Sequence, residues 1–128
     1  MARQLDAARY FSLTTYRKDG RGVDTPVWFA GGDGTYYVFS AGNAGKVKRL
    51  RRASRARVAA CDVRGRLLAG WIPADAYLLS SREDVAAALA DLRRKYGWQM
   101  RVADAMAKLS GRFGKRTYIR VETHEQPE

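Results

Sequence analysis

Cysteine and histidine are nearly missing from this chain, each occurring once. With Cys61 alone, no internal disulfide can form. Cys61 sits in the apolar run "RVAACDV" and reads as a buried, inert thiol. His124 lies in the polar stretch "ETHEQPE". One His and one Cys cannot complete a four-ligand zinc site without carboxylates, so no metal is expected. A Ser-His-Asp triad would require that polar tail to fold back into a core. No apolar run approaches the ~18 residues that a membrane-spanning helix needs. The N-terminal "MARQLDAARYF" lacks the apolar stretch of a signal peptide. A cytoplasmic protein is the expectation. Acids are also scarce: 13 Asp and Glu stand against 24 Lys and Arg, a formal net charge of +11. Such a surplus concentrates anions, whether nucleic acid, phosphate or polyglutamate, without choosing among them.

What is present fits one domain over residues 1–128, with hydrophobic residues at 46%. "YFSLTTY" (10–16) has strand composition, and the Asp-Gly of "RKDGR" marks a turn. "VDTPVWFA" (23–30) alternates, with Val23, Thr25, Val27 and Phe29 on one face and Asp24, Pro26 and Trp28 on the other. Pro26 has no N–H, which puts this strand at an edge or bulge there. After "GGDG", "TYYVFS" (35–40) completes a three-strand meander. "AGNAG" (41–45) breaks the pattern, and a short basic helix "KVKRLRR" follows, burying Val47 and Leu50. Further strands are expected over 57–63, over 67–79 with an irregularity at Pro73, and over 115–122. Between the last two lie two helices. A Ser80–Glu83 capping box starts the first, carrying Val85, Leu89, Leu92 and Tyr96, and Gly97 ends it. The second carries Val102, Met106 and Leu109 as a core-facing stripe and stops at Gly111. Tyr118 falls on the face opposite Ile119 and Val121, and the tail 123–128 should fray. The sum is a small α+β domain: an antiparallel barrel of about six strands with flanking helices.

The chemistry concentrates at "SAGNAGKVKRLRRASRAR" (40–57). Seven of the twelve residues from Lys46 to Arg57 are basic and none is acidic. A nucleic-acid surface would interleave exposed aromatics with these charges, and none occurs here; no RRM, KH or helix-turn-helix signature appears. A small phosphate asks for a turn of small residues, a helix N-terminus and one or two cations. Ser40, Gly42, Gly45, Lys46 and Lys48 supply these in order. Val47 after the lysine excludes the P-loop pattern, and GxGxxG is absent. Arg51, Arg52 and Arg55 read as a solvated face. The nucleic-acid module stays as an alternative.

"SLTTYRKDGRGVDTPVWFA", "YYVFSAGNAGKVKRLRRASRARVAACDVRG" and the late "TYIRVE" together resemble the pyridoxamine 5'-phosphate oxidase-like flavin reductases. The resemblance is closest to the flavin/deazaflavin oxidoreductases that use coenzyme F-420. It runs over most of residues 10–122 and is strongest in 12–66. It implies an FMN-type split β-barrel of Greek-key topology and a homodimer with cofactors at the subunit interface. It further implies F-420, or alternatively FMN, as cofactor, and hydride transfer to a small conjugated acceptor. In that family the second strand runs along the ring system, which corresponds here to Thr25, Pro26, Val27 and Trp28. The family's phosphate site corresponds to Ser40, Gly45, Lys46 and Lys48, with Arg49 beside them. Where the family's next strand carries a glycine in an EGTA-like run, this chain has "IPADA" (72–76). The resemblance points to no catalytic acid or base. Arg17, Lys18, Arg55 and Arg57 are candidates for the cofactor tail.

Overall fold

A computed structural model describes residues 2–42 and 44–124. The elements in chain order are α1 (Ala2–Ala7), β1 (Tyr10–Tyr16), β2 (Gly22–Gly32), β3 (Thr35–Ala41), α2 (Gly45–Arg52) and β4 (Arg55–Cys61). They continue with β5 (Ile72–Leu78), α3 (Arg82–Tyr96), α4 (Trp98–Leu109), a 3-10 turn (Phe113–Lys115) and β6 (Arg116–Thr123). The six strands close a barrel in the order β1-β2-β3-β6-β5-β4, with every neighbouring pair antiparallel. The run β4-β1-β2-β3 is a Greek key: a three-strand meander whose fourth strand returns beside the first. Alternation along each strand fills the interior with Phe11, Leu13, Val27, Phe29, Val38, Val58, Ile119 and Val121. Phe11 stacks on Phe29 with centroids 4.2 Å apart, and Tyr36 meets both edge-on. Burying each such side chain contributes about 1.5–3 kcal/mol.

A second cluster lies outside the barrel. Ala88, Leu92 and Tyr96 of α3 cover Ala30 and Tyr118, with Trp28, Tyr37 and Phe39 packed against them. Tyr118 therefore occupies the outer face, as the alternation of "KRTYIRVE" implies.

Several details differ from the sequence reading. Helix α1 was not anticipated, because its six residues carry only one large apolar side chain, Leu5, which joins the barrel core. Strand β4 starts two residues earlier than expected and ends at Cys61. Only Ile72–Leu78 of the long 67–79 run is strand; Leu67 forms a single bridge to Cys61 within a loop. The helix cap is Ser81, whose Oγ accepts from the Asp84 N–H at 3.1 Å, one residue beyond the expected box. The stripe of α4 points outward: Val102, Met106 and Leu109 are 49%, 66% and 89% exposed. Met100 and Asp104 form the buried face instead, because Asp104 receives Arg93 at 2.9 Å and Arg116 at 2.7 Å. A buried ion pair thus took the position that an apolar count assigned elsewhere. Thr123 pairs with Ala74, and the His124 N–H donates to Pro73 O, so the chain is held that far. The remainder of the expected frayed tail, 125–128, lies outside the described residues. Among the described residues, no helix is long and apolar enough to cross a membrane.

Candidate functional site: the opening between β2 and β3

Strand β2 pairs with β1 along its length, from Gly22 to Trp28. Its ladder with β3 begins only at Phe29↔Val38 and runs toward the turn. Residues 26–28 and 39–41 therefore part from each other, and the barrel opens there. Tyr96 fixes the direction of the strand's peptide groups at this point. Its Oη accepts the Phe29 N–H at 2.8 Å and lies 2.6 Å from the Arg9 carbonyl oxygen. The Phe29 peptide groups thus face β1. By strand alternation those of Trp28 and Pro26 face β3. Pro26 has no N–H to offer on that side, so its missing donor falls on the open edge, where it costs no ladder bond. The edge character expected of this proline is realised in the middle of a closed barrel.

The opening is a shallow groove of about 340 Å³, lined by Pro26, Val27, Trp28, residues 39–41, Ala44 and Lys46. Trp28 is braced on two sides. It stacks on Tyr96 at 4.7 Å and meets Phe39 edge-on at 6.0 Å. Ser40 is 7% exposed, and among the described residues its Oγ has no hydrogen-bond partner. A buried hydroxyl left unpaired costs about 1–3 kcal/mol, so its retention points to a bond made with something outside the chain.

Helix α2 begins at the mouth of this groove. Ala44 occupies its N-cap and offers no side-chain acceptor. The Gly45 and Lys46 N–H groups meet no acceptor among the described residues. No acid lies in the first turn, which leaves the positive end of the helix uncompensated. Burial, and then the neighbouring Arg49, push the Lys46 ammonium below its usual 10.5. Arg49 is likewise lowered, by burial and then by Arg17 and Arg52. Its Nε donates to Thr15 Oγ1 at 2.7 Å, which turns the guanidinium back toward the helix start. A Cβ at Gly45 would stand 2.9 Å from Arg49 Nη1. Cations crowded without carboxylates form a site for an anion.

The residues singled out from the sequence divide on this geometry. Pro26, Val27, Trp28, Ser40 and Lys46 come together around the groove. Gly45 and Arg49 stand one step behind Lys46. Lys48 is exposed and does not line the groove. Thr25 pairs with Leu13 and lies beyond the lining. Asn43 of the small-residue turn is outside the described residues. Of the tail candidates, Arg55 lies over the Tyr16 ring at 3.9 Å. Arg57 lies over Trp71 at 3.9 Å and donates to Thr14 Oγ1 at 3.1 Å, so both are engaged within the fold. Trp71 packs on the barrel's outer face in this way. Cys61 is buried, and its thiol is pushed up by burial and then by Asp62, as its apolar run implied.

Sequence reasoning missed Phe39, Tyr96 and Asp104. Phe39 carried a signal, since it alternates with Val38 and adjoins Ser40. Tyr96 lies 67 residues from the Phe29 N–H it binds, and Asp104 meets partners 11 and 12 residues away on other turns of the chain, so nothing local announces either.

Comparisons with known proteins agree with this architecture. The structure superposes on a FAD-binding protein of Mesorhizobium loti with a TM-score of 0.60 at 21% identity, over 96% of this chain and 84% of that one. For a conserved hypothetical protein of Mycobacterium tuberculosis the TM-score is 0.70 at 20% identity, over 97% and 78%. For the heme storage protein HutZ of Vibrio cholerae it is 0.70 at 13% identity, over 97% and 87%. At these identities the likeness is one of fold. A comparison with curated proteins finds no match. The sequence profile described as pyridoxamine 5'-phosphate oxidase matches residues 1–125. With the barrel, its opening and this match in agreement, the chain belongs to the pyridoxamine 5'-phosphate oxidase family.

Proposed function

We propose that this protein is a cytosolic oxidoreductase that uses coenzyme F-420 to reduce a small conjugated acceptor. The observation that carries the reading is that a buried Ser40 hydroxyl and a Lys46 cation, neither with a hydrogen-bond or carboxylate partner among the described residues, line the same opening of the barrel. A phosphate fits both: Ser40 Oγ would donate to it, and Lys46 and the free N–H groups of α2 would balance its charge. Pro26, Val27 and Trp28 would lie beside the ring system, with Trp28 held by Tyr96 and Phe39. When bound, the cofactor supplies the hydride chemistry, and the protein orients it and excludes water. FMN is the second reading, favoured by the family itself. The larger anionic cofactor suits the net charge of +11 and the presence of Arg17 and Arg52 behind Arg49 better than a single phosphate does. The groove is shallow and open to solvent, which supports a homodimer in which the partner subunit closes it.

The test is a set of three titrations on the purified protein. F-420 fluorescence should be quenched at low micromolar concentration, with weaker binding of FMN. Tighter FMN binding would move the assignment to a flavin enzyme or carrier. Binding of oligonucleotides with steep salt dependence, and of neither cofactor, would favour a basic module without redox chemistry.

A further inference from the structure

A second and larger groove, about 970 Å³, adjoins the first and shares residues 39–41 with it. Its volume is that of a small-molecule site, about 300–1,000 Å³. It lies between the end of β3 and the last turn of α4, with Ser110, Arg112, Lys115 and Arg116 on its rim. The chain builds this space deliberately close. The Gly42 N–H donates to Lys115 O at 2.9 Å, and a Cβ at position 42 would stand 2.5 Å from that oxygen. Only glycine lets the end of β3 lie against the 3-10 turn. Arg116 has a side chain 7% exposed, paired with Asp104 and lying over Phe39 at 4.5 Å. Its charge is satisfied, and it serves as a wall. Arg112 and Lys115 differ: both are exposed, and among the described residues no carboxylate pairs with either. No acid lines the groove, whose other half is Phe39, Met106 and Ala107. The buried, unpartnered Ser40 hydroxyl stands in the wall common to both grooves.

We infer that this second groove binds an organic anion with a flat apolar body, an aromatic or conjugated carboxylate. Its carboxylate meets Arg112 and Lys115, and its ring lies between Phe39 and Met106. A bare phosphate would leave the apolar half wet, and a neutral hydrocarbon would leave two cations unanswered; an amphipathic anion meets both demands. Placement of this ligand as the acceptor rests on the F-420 reading, whereas its binding does not.

Isothermal titration of cofactor-free protein with 2-naphthoate and with neutral 2-naphthalenemethanol tests the inference. The carboxylate should bind about tenfold more tightly, as expected for a charge-assisted contact. The double variant Arg112→Ala, Lys115→Ala should lose that preference, with F-420 affinity unchanged. Met106→Asp, at an exposed position, should weaken naphthoate by placing an acid beside it, and circular dichroism should show both variants folded. Equal binding of the two probes, unaltered naphthoate binding in the variants, or competition between naphthoate and orthophosphate for one site would overturn the proposal. Naphthoate binding as described in a protein that takes up no F-420 would sink the cofactor reading alone.

Discussion

The Ser40 hydroxyl and the Lys46 ammonium are each held at a cost in the free protein, and that cost has measurable consequences. Ser40→Ala removes a buried polar atom that has no partner among the described residues. The cofactor-free variant should be as stable as the parent or up to ~2 kcal/mol more stable. Its cofactor affinity should fall by ~0.5–1.5 kcal/mol, the net worth of one hydrogen bond. Urea midpoints and a cofactor titration check the pair; loss of stability without loss of affinity would mean that the hydroxyl serves the fold. Lys95 offers a separate test. Burial, and then Arg9, hold its ammonium at about 8, with Asp6 acting in the opposite sense. Its Nζ donates to Ala8 O at 2.8 Å and lies 3.3 Å from the Phe29 ring centroid, with Tyr96 alongside. A lysine depressed on folding binds fewer protons folded than unfolded between about pH 8 and 10.5, so its contribution to stability rises with pH across that window. Lys95→Met should therefore flatten the rise in stability over that range relative to the parent. An identical pH profile for the two proteins would contradict the assignment.

At the scale of elements, α3 is tied to the opening of the barrel through one atom, Tyr96 Oη. Tyr96→Phe would leave the Phe29 N–H without an acceptor in a buried position. A loss of ~1–3 kcal/mol is expected in denaturant unfolding. Because Trp28 stacks on the same ring, its fluorescence should change little in that variant, which separates loss of the hydrogen bond from loss of packing. The elements also show what a sequence discloses. Strands β2, β3 and β6 were readable because their faces alternate between interior and outer surface, and β1 because it is rich in aromatics and Thr. The proposed phosphate end was legible as a candidate because its parts are contiguous, from Ser40 to Lys46. The buried face of α4 was not readable, since Val102, Met106 and Leu109 make the better apolar stripe and yet face outward. The element is oriented by Asp104, whose partners Arg93 and Arg116 are 11 and 12 residues away. Long-range charge pairing leaves no periodic trace.

For the whole molecule, the outward stripe of α4 joins Trp98, Val63, Leu67 and Leu68 among the exposed large apolar residues. Exposed apolar surface of this kind favours association, in keeping with the proposed homodimer. Sedimentation should give twice the 14.3 kDa chain mass, and a monomer at tens of micromolar would count against a shared cofactor site. The closed barrel itself was inferable from strand count and alternation, whereas the break in its wall was not. That break depends on where the β2–β3 ladder stops, and Pro26 gave its only local sign. In the proposed complex the phosphate of F-420 would sit between Ser40 and Lys46 at this break. Titration of F-420 into Lys46→Ala and Lys48→Ala tests it most directly. A loss of ~1.5–3 kcal/mol is expected for Lys46→Ala, as for a charge-assisted contact, and a clearly smaller loss for the exposed Lys48→Ala. Unchanged affinity in Lys46→Ala, with the parent binding F-420 normally, would contradict it.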